Sequence, residues 1–452
     1  MSILWLEQVM PDGITAEPLR ESTRADIAII GGGYVGLWTA IQIKQRSPAT
    51  DVVVLEQGIC GGGASGRNGG FVLTWWPKID TLVQLCGEAE GVRLAAASER
   101  AIEEISAFCV AEQIDAHFAR GGWIWSATNR AQEGAWDTVL RTCERLGVSP
   151  FAQVDMSRTG SSVHRVGIIE ASNATVHPAA LARGLMRAAL SRGVRIYEGT
   201  RVAAFTRHQP IEIRTDTGHG VRAEKMVLAT GAWASSVREL ARKMVVVSSD
   251  IVATEPIPER LRSIGWTDGS AITDAQLRVH YYRTTGDGRI VFGKGGGALA
   301  FAGTIGRGFD RDPWRAMEVA RDFARTYPTL SGVKITHDWS GAVERTPNAL
   351  PLIGRLGRSR PHIVHGVGWS GHGVGPSYLG AKMLASLALG IRDEWSEAGI
   401  VDQPMGAFPP EPVRYLGGML VRSAVTRKEY AEWDDRTPAF WDVALSNLAP
   451  NH

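Results

Sequence analysis

The chain has 452 residues, of which 44% are hydrophobic and 21% charged, a composition typical of a folded globular protein with one or two domains. Its 49 basic and 47 acidic residues nearly balance, so the net charge gives no support to a nucleic-acid-binding protein. No apolar run approaches the length of a membrane span, and the first ten residues do not resemble a signal peptide.

Cysteine usage indicates a reducing compartment. The four cysteines, Cys60, Cys86, Cys109 and Cys143, are widely spaced and form no C-x-x-C pair. They are therefore interpreted as free thiols of a cytoplasmic protein, and neither a disulfide framework nor a metal site is expected. Residues 1–24, with Pro11, Gly13 and Pro18, are expected to form a polar leader on the surface.

The first strong pattern is a dinucleotide-binding motif at 25–36. Residues 25–30 are apolar and rich in β-branched side chains, as in a buried parallel strand. Gly31, Gly33 and Gly36 follow at G-x-G-x-x-G spacing, and a helix is predicted over 34–46. The glycines permit a tight turn, close approach of a pyrophosphate and close helix packing, and the first helical amides, at Tyr34 and Val35, face the phosphates.

A second strand at 51–55 ends in Glu56, at the distance expected for an acid that binds a ribose. Residues 58–70 then form another glycine-dense loop, which a nicotinamide cofactor would not require and a larger cofactor would. Within it, Arg67 and Asn68 can offer charge and hydrogen bonds to a phosphate or an isoalloxazine ring. The alternative is a flexible surface loop.

The middle of the chain alternates helices and strands. Helical patterns cover 77–112, 131–146 and 178–193, and strands are predicted at 121–127, 194–197, 201–206, 211–215 and 225–228. The last of these strands ends in Thr230, Gly231 and Trp233, a second turn where backbone can meet a cofactor. Taken alone, it could be any strand-to-helix turn.

From residue 244 the pattern changes to an antiparallel sheet, with strands predicted at 245–247, 251–254, 278–284 and 289–292. Tyr281 and Arg283 share one face of the third strand, and His280 and Tyr282 share the other. One pair could contact substrate; the alternative is a strand with ordinary cross-strand aromatic pairs. Residues 295–300 also match G-x-G-x-x-A, but helix 313–327 follows instead of a strand with an acidic end, so no second dinucleotide site is expected.

The last third returns to strands at 333–339 and 362–365, then a glycine turn and a helix over 376–389. This arrangement directs backbone amides of Gly371, His372, Gly373 and Val374, and a positive helix end, toward a bound group. They suit the anionic pyrimidine edge of a reduced flavin. His372 could take part or only shape the turn. Residues 405–452 are a charged tail with no assigned role.

These motifs, in this order, resemble the superfamily of D-amino-acid oxidase and sarcosine oxidase. The Arg-Asn-Gly-Gly loop and the Gly-His-Gly-Val ending are most similar to its gamma-glutamylputrescine oxidase branch. The resemblance implies bound FAD, an amine substrate, hydride transfer from the carbon beside nitrogen, and hydrolysis of the imine. It also implies reoxidation by dioxygen to hydrogen peroxide, or alternatively by a quinone or carrier protein.

Three positions depart from the sarcosine oxidases. The cysteine that carries FAD there aligns with Gly341, so non-covalent FAD is expected. Their carboxylate-binding lysine aligns with Gly375, which favours a larger or differently anchored amine. Their oxygen-activating lysine aligns near Val291, and Lys294 is the candidate substitute; it could also be a solvated surface lysine.

The expected fold class is α/β, a Rossmann-type FAD-binding domain of the glutathione-reductase type with an interleaved antiparallel-sheet substrate domain. We expect the FAD-binding domain at 1–90, 151–243 and 333–404, a helical part of the substrate domain at 91–150, its antiparallel part at 244–332, and the tail at 405–452. A nicotinamide-dependent dehydrogenase and a non-enzymatic flavoprotein are the alternative hypotheses.

The candidate residues fall into two groups. The catalytic and substrate-pocket candidates are Arg67, Tyr281, Arg283, Lys294, Trp369, Trp75, Trp76 and Trp123. The candidates for FAD binding are Gly31, Gly33, Tyr34, Val35, Gly36, Glu56, Gln57, Ala64, Ser65, Arg67, Asn68, Gly69, Gly70, Val202, Thr230, Gly231, Trp233, Gly371, His372, Gly373 and Val374.

Overall fold

The computed structural model describes residues 3–10, 16–357 and 359–450. The helices of these three ranges are Leu4–Val9 (α1), Tyr34–Arg46 (α2), Ile79–Cys86 (α3), Glu88–Ala111 (α4), Asp137–Arg145 (α5), Pro178–Ser191 (α6), Pro258–Ser263 (α7), Pro313–Thr326 (α8), Pro376–Leu389 (α9), Val413–Trp433 (α10) and Phe440–Ser446 (α11). Within the same ranges, no helix combines the length and the apolar character needed to cross a bilayer.

The strands form two large sheets and one small one. The first sheet holds Thr23–Ile30 (β1), Val52–Leu55 (β2), Arg195–Tyr197 (β8), Val202–Phe205 (β9), Ile211–Thr215 (β10), Gly220–Leu228 (β11), Leu352–Arg355 (β17) and Ile363–Val367 (β18). The second holds Trp123–Ala127 (β4), Ala152–Gln153 (β5), Val166–Glu170 (β6), Val245–Thr254 (β12), Ala271–Thr273 (β13), His280–Thr284 (β14), Ile290–Lys294 (β15) and Ile335–Arg345 (β16). Phe71–Val72 (β3) pairs with Ala174–Thr175 (β7).

The centre of the first sheet is parallel, with the strand order β17-β18-β11-β1-β2-β8. The carboxyl halves of its central strands are continuously apolar because α2, α6 and α9 cover one face and a second apolar cluster covers the other. Ile30 pairs with both Leu55 and Leu228, so β1, β2 and β11 end at the same level. Gly31, Glu56 and Ala229 therefore meet at one edge of the sheet, as the sequence predicts for a Rossmann-type domain.

The second sheet has the order β16-β12-β15-β14-β13-β4-β6-β5 and is antiparallel except where β13 runs parallel to β4. β12 is one continuous strand rather than the two short ones expected. Helix α8 packs on one face, where Phe323 meets Phe292 in an apolar cluster that includes Tyr282. Because β5, β6 and β16 belong to this sheet, the boundaries drawn at 150/151 and 332/333 do not coincide with the division between the sheets.

Both ends of the chain contain helices, which the expected polar leader at 1–24 and the charged tail at 405–452 do not include. Helix α1 buries Leu4 and Trp5, and the indole Nε1 of Trp5 donates to the Asn68 carbonyl at 3.0 Å. Pro11 and Gly13 lie outside the described residues. Near the other end, α10 and α11 form a helical hairpin against the second sheet, where the Glu429 carboxylate accepts the Arg278 N–H at 2.8 Å.

Candidate functional site

A cavity of about 1500 Å³ runs from the carboxyl edge of the first sheet to the second sheet. Ligand pockets for drug-sized molecules have volumes of about 300–1000 Å³, so this cavity has room for an extended ligand and a second small molecule. Strand ends, glycine turns and one face of the second sheet line it in succession.

The first end of the cavity is built around Glu56. One carboxylate oxygen accepts the Gly32 N–H at 2.8 Å, and the other accepts the Gly58 N–H at 2.8 Å. These bonds fix the carboxylate at the tip of β2, beside the N-terminus of α2. Burial raises the pKa of Glu56, and the backbone amides whose hydrogen bonds it accepts act in the opposite direction.

The glycine turn before α2 leaves space where side chains would obstruct it. Gly31 has φ +110°, and a Cβ there would lie 2.4 Å from the Ala229 carbonyl oxygen, so glycine is required. No side chain caps α2 at Gly33, where a Cβ would lie 2.9 Å from the Ser65 Oγ. That hydroxyl instead accepts the Tyr34 N–H at 2.9 Å.

The glycine-dense loop forms the middle of the cavity and is ordered by its own polar side chains. Arg67 donates from Nε to the Gly62 carbonyl at 2.8 Å and from Nη1 to Asp310 at 2.7 Å. The Asn68 Oδ1 accepts the Gly70 N–H at 2.7 Å. The loop is therefore a fixed wall rather than a flexible surface segment.

The turn before α9 faces this loop across the cavity, and Gly371 to Val374 line it. The His372 Nε2 lies 2.6 Å from the Thr74 carbonyl, which can only accept, so Nε2 carries the proton. Burial, with the neighbouring Lys78, lowers the pKa of His372 to about 4 and keeps the ring neutral. Its hydrogen bond fixes the turn, and its ring is part of the cavity wall.

The rest of the cavity is lined by the second sheet; we call this part, with Trp123, Trp125 and Tyr281 in its wall, the chamber. The rings of Trp123 and Trp125 stack with centroids 5.5 Å apart. The Tyr281 hydroxyl lies 2.6 Å from the Ser249 Oγ, and a Cβ at Gly293 would overlap the Tyr281 ring at 2.1 Å. Lys78 and Arg345 bring basic groups to the same region. This end of the cavity is aromatic and carries basic side chains.

Most of the predicted FAD-site residues line one continuous cavity. Those that do are Gly31, Gly33, Tyr34, Val35, Glu56, Gln57, Ala64, Ser65, Arg67, Asn68, Gly69, Val202, Thr230, Gly231, Trp233, Gly371, His372, Gly373 and Val374. Gly36 and Gly70 lie behind the wall: a Cβ at Gly36 would meet the Gly31 carbonyl at 1.9 Å, and one at Gly70 would meet the Val176 carbonyl at 2.1 Å. They permit close backbone packing instead of contact with a ligand.

Lys294 does not face the cavity. Its Nζ lies 2.6 Å from Asp322 and 2.9 Å from Glu318, and the side chain is 5% exposed. Side chains alternate along β15, and Gly293 is the residue below Tyr281 on the cavity side. Lys294 therefore points toward α8, and neither predicted role, catalytic cation or solvated surface lysine, fits its position.

Three other pocket candidates are packing residues. Arg283 shares a face with Tyr281, but α1 covers it: its Nη1 donates to the Val176 carbonyl at 2.8 Å below the Trp5 ring. Trp75 is 1% exposed, and the Trp76 Nε1 donates to Glu99 on α4 at 2.9 Å. Among the predicted tryptophans, Trp123 and Trp369 do line the cavity.

The structure adds four residues that sequence reasoning missed: Lys78, Trp125, Glu344 and Arg345. Trp125 could have been found, because a strand places it on the same face as Trp123. Glu344 is buried, and its Oε1 accepts the N–H groups of Gly368 and Trp369 at 3.2 and 3.3 Å. Only the pairing of β16 with β12 brings the tip of this strand to the cavity, and no local pattern signals that.

Comparisons with known proteins agree with this arrangement. The chain is 29% identical over 400 residues to gamma-glutamylputrescine oxidoreductase of Escherichia coli (strain K12), covering 87% of this chain and 90% of that one. It is 26% identical over 384 residues to a probable oxidoreductase, OrdL, of Haemophilus influenzae, covering 82% and 85%. The structure of glycine oxidase from Geobacillus kaustophilus superposes with a TM-score of 0.70 at 20% identity, covering 85% of this chain and 100% of that one.

A family model described as FAD dependent oxidoreductase matches residues 26–387. This range contains both large sheets except for the first residues of β1, and it contains every residue that lines the cavity except Leu6. The chain thus belongs to the DAO family of FAD-dependent oxidoreductases.

Proposed function

We propose that this enzyme oxidises a carbon–nitrogen bond of a small-molecule amine in the chamber beyond the 371–374 turn. The observation that carries the proposal is the continuity of the cavity from the glycine turn of a dinucleotide site to an aromatic chamber. The stacked rings of Trp123 and Trp125 and the ring of Tyr281 suit the apolar body of an organic amine.

The residues present fit FAD as the occupant of the rest of the cavity. The glycines before α2 and the N-terminus of that helix match a pyrophosphate, and the fixed Glu56 carboxylate has lone pairs left for the ribose hydroxyls. Amides of the 371–374 turn at the N-terminus of α9 match the pyrimidine edge of the flavin.

The FAD is proposed to be held without a covalent bond. Among the described residues no cysteine lines the cavity, and Cys60 is fully buried with a pKa raised by that burial. At the wall beside Arg67 stands Gly341, which has no side chain to form a thioether.

FAD, when bound, supplies the acceptor for the hydride removed from the carbon beside nitrogen, and the product imine hydrolyses. The protein binds and orients the amine between aromatic walls and excludes water from it. We further propose dioxygen as the final electron acceptor. Lys294 cannot assist there, whereas Arg345 lines the cavity with a pKa of about 10 and remains charged at neutral pH, which would stabilise developing superoxide.

Anaerobic absorbance spectra of the purified protein, recorded while amines are added, test the proposal. The panel includes gamma-glutamylputrescine, because a relative carries that name, together with sarcosine, D-amino acids and N-alkyl and aromatic amines. Bleaching of the flavin bands by one class is the expected result, and admission of air should restore them with one hydrogen peroxide per amine. Bleaching by none of the amines contradicts the proposal, and recovery only with a quinone contradicts the dioxygen part.

A further inference from the structure

Lys78 stands at the substrate end of the cavity. It closes the 3₁₀ turn Trp76–Lys78, directly before α3, and lines the chamber that Trp123 and Trp125 also line. The inference drawn from it rests on the amine oxidation proposed above and concerns one step of that reaction. An amine is protonated in water at neutral pH, and it must lose that proton before a hydride can leave the neighbouring carbon.

The surroundings of Lys78 disfavour a charged ammonium group. Across the described ranges, its Nζ has no carboxylate within ion-pair distance. Its charged neighbour is Arg345, at the end of β16, and His372 faces it as a neutral ring. Asp80 on α3 also lines the cavity, but its carboxylate accepts a hydrogen bond from Thr142 on α5. Lys78 is half-buried, and this burial together with the Arg345 charge lowers the pKa of Lys78 to about 7.

We propose that Lys78 is the general base that accepts the proton of the substrate ammonium group. The N–H bond of the ammonium breaks, its electron pair stays on the substrate nitrogen, and the proton forms a new N–H bond on the neutral Lys78 Nζ. No carbon bond changes and no electron leaves the amine in this step. The Arg345 charge keeps the lysine unprotonated beforehand, and it also favours loss of the proton from an ammonium group bound beside it.

The pH dependence of anaerobic flavin reduction tests the assignment, using the amine found in the spectral screen. In the wild type, the second-order rate constant for reduction should rise with pH and level off above an apparent pKa of about 7. In Lys78→Met we expect a loss of about 100-fold or more at pH 7. Its profile should rise instead toward the pKa of the free amine, about 10. Lys78→Arg should be as slow as Lys78→Met, because its guanidinium stays protonated.

Glu170→Gln is the matched control. Glu170 is buried behind Thr74, does not line the cavity, and has a pKa that burial raises to about 7. Loss of the inflection in Glu170→Gln, with its retention in Lys78→Met, would overturn the assignment. So would activity that falls with rising pH and survives in Lys78→Arg, since that pattern indicates an anion-binding cation. If no amine reduces the wild type, the proposed function and this step both fail; a reducible wild type with an unchanged Lys78→Met fails this step alone.

Chemical labelling gives a readout that does not depend on turnover. The holoenzyme is treated briefly with acetic anhydride between pH 6 and 10, and acetylation of each lysine is measured by mass spectrometry. Half-maximal labelling of Lys78 is expected at a pH of about 7, well below the value of about 10.4 for a lysine in water. Bound substrate amine should protect Lys78, and the exposed Lys334 is followed in the same samples as a reference. Labelling of both lysines over the same pH range would contradict the proposal.

Discussion

At the scale of a single residue, Glu56 holds two backbone turns, because each of its carboxylate oxygens accepts an N–H group. The bonds to the amides of Gly32 and Gly58 leave lone pairs directed at the cavity. Since a hydrogen bond to a charged group contributes about 1.5–3 kcal/mol, Glu56→Ala should weaken FAD binding about tenfold or more.

Fluorescence titration of the apoprotein with FAD measures this change. Glu224→Ala removes an exposed carboxylate from β11 of the same sheet and should leave the dissociation constant unchanged. Equal affinities in Glu56→Ala and Glu224→Ala would show that Glu56 does not bind the cofactor.

At the scale of elements, the β1–turn–α2 unit depends on contacts between backbones. Gly31→Ala would combine a positive φ with a Cβ 2.4 Å from the carbonyl oxygen of Ala229, the residue after β11. We expect a loss of stability of at least about 2 kcal/mol together with loss of FAD, because β1 and β11 would have to separate.

Gly87→Ala separates the effect of the positive φ from the effect of the close Cβ contact. Gly87 joins α3 to α4 with φ +83°, and nothing lies within 4 Å of its missing Cβ. Denaturant unfolding of both variants should show a smaller cost for Gly87→Ala than for Gly31→Ala, about 1–3 kcal/mol from the backbone conformation alone (ψ 167°). If the two variants were equally destabilised, the backbone angle alone would account for the effect.

The difference between local sequence spacing and contacts of elements far apart in the chain explains how much of the site the sequence predicts. The 31–36 turn, Glu56 and the glycine loop depend on local spacing, so the sequence alone predicts that they come together at the end of β1. Strand periodicity also places Tyr281 and Arg283 correctly on one face. Periodicity does not show that α1 covers Arg283, or that α8 supplies the carboxylates that bind Lys294. Those contacts arise from elements far apart in the chain.

At the scale of the whole molecule, a buried ionic cluster joins the second sheet to α8. The ring of His280 lies between Asp274 at 2.7 Å and Asp322 at 3.0 Å, and Lys294 also binds Asp322. Burial opposes charge on His280, but the two carboxylates outweigh it and raise the pKa of the ring. His280 and Lys294 hold the pKa of Asp322 well below its usual range despite burial.

These shifts predict a stability that falls on both sides of neutrality. The His280 contribution is complete below the pKa of an unfolded histidine, about 6.5, and is lost as pH rises through the higher folded value. The Asp322 contribution is present above about 3.9 and is lost as pH falls through the lower folded value. Melting temperatures of wild type and His280→Gln, measured from pH 4 to 9, should differ most at pH 5–6 and converge toward pH 9. A constant difference would show that His280 is not charged in the folded protein.

The C-terminal hairpin connects this cluster to the chamber. Glu429 on α10 accepts the N–H of Arg278, and most of the segment 274–279 beside it lines the cavity. By contrast, none of the described residues of the hairpin lines the FAD end, where the lining comes from residues before 378. Deletion of 405–452 should therefore lower the melting temperature and weaken amine binding about tenfold, while FAD affinity changes less than about threefold.

Burial raises the pKa of Glu429 to about 7. Glu429→Gln keeps the hairpin but replaces this carboxyl group, and it should reproduce the weaker amine binding with a smaller loss of stability. Titration of each protein with FAD, and of each holoenzyme with the reducing amine, separates the two effects. Equal losses of FAD and amine binding in both variants would mean that the hairpin supports the fold as a whole rather than the chamber.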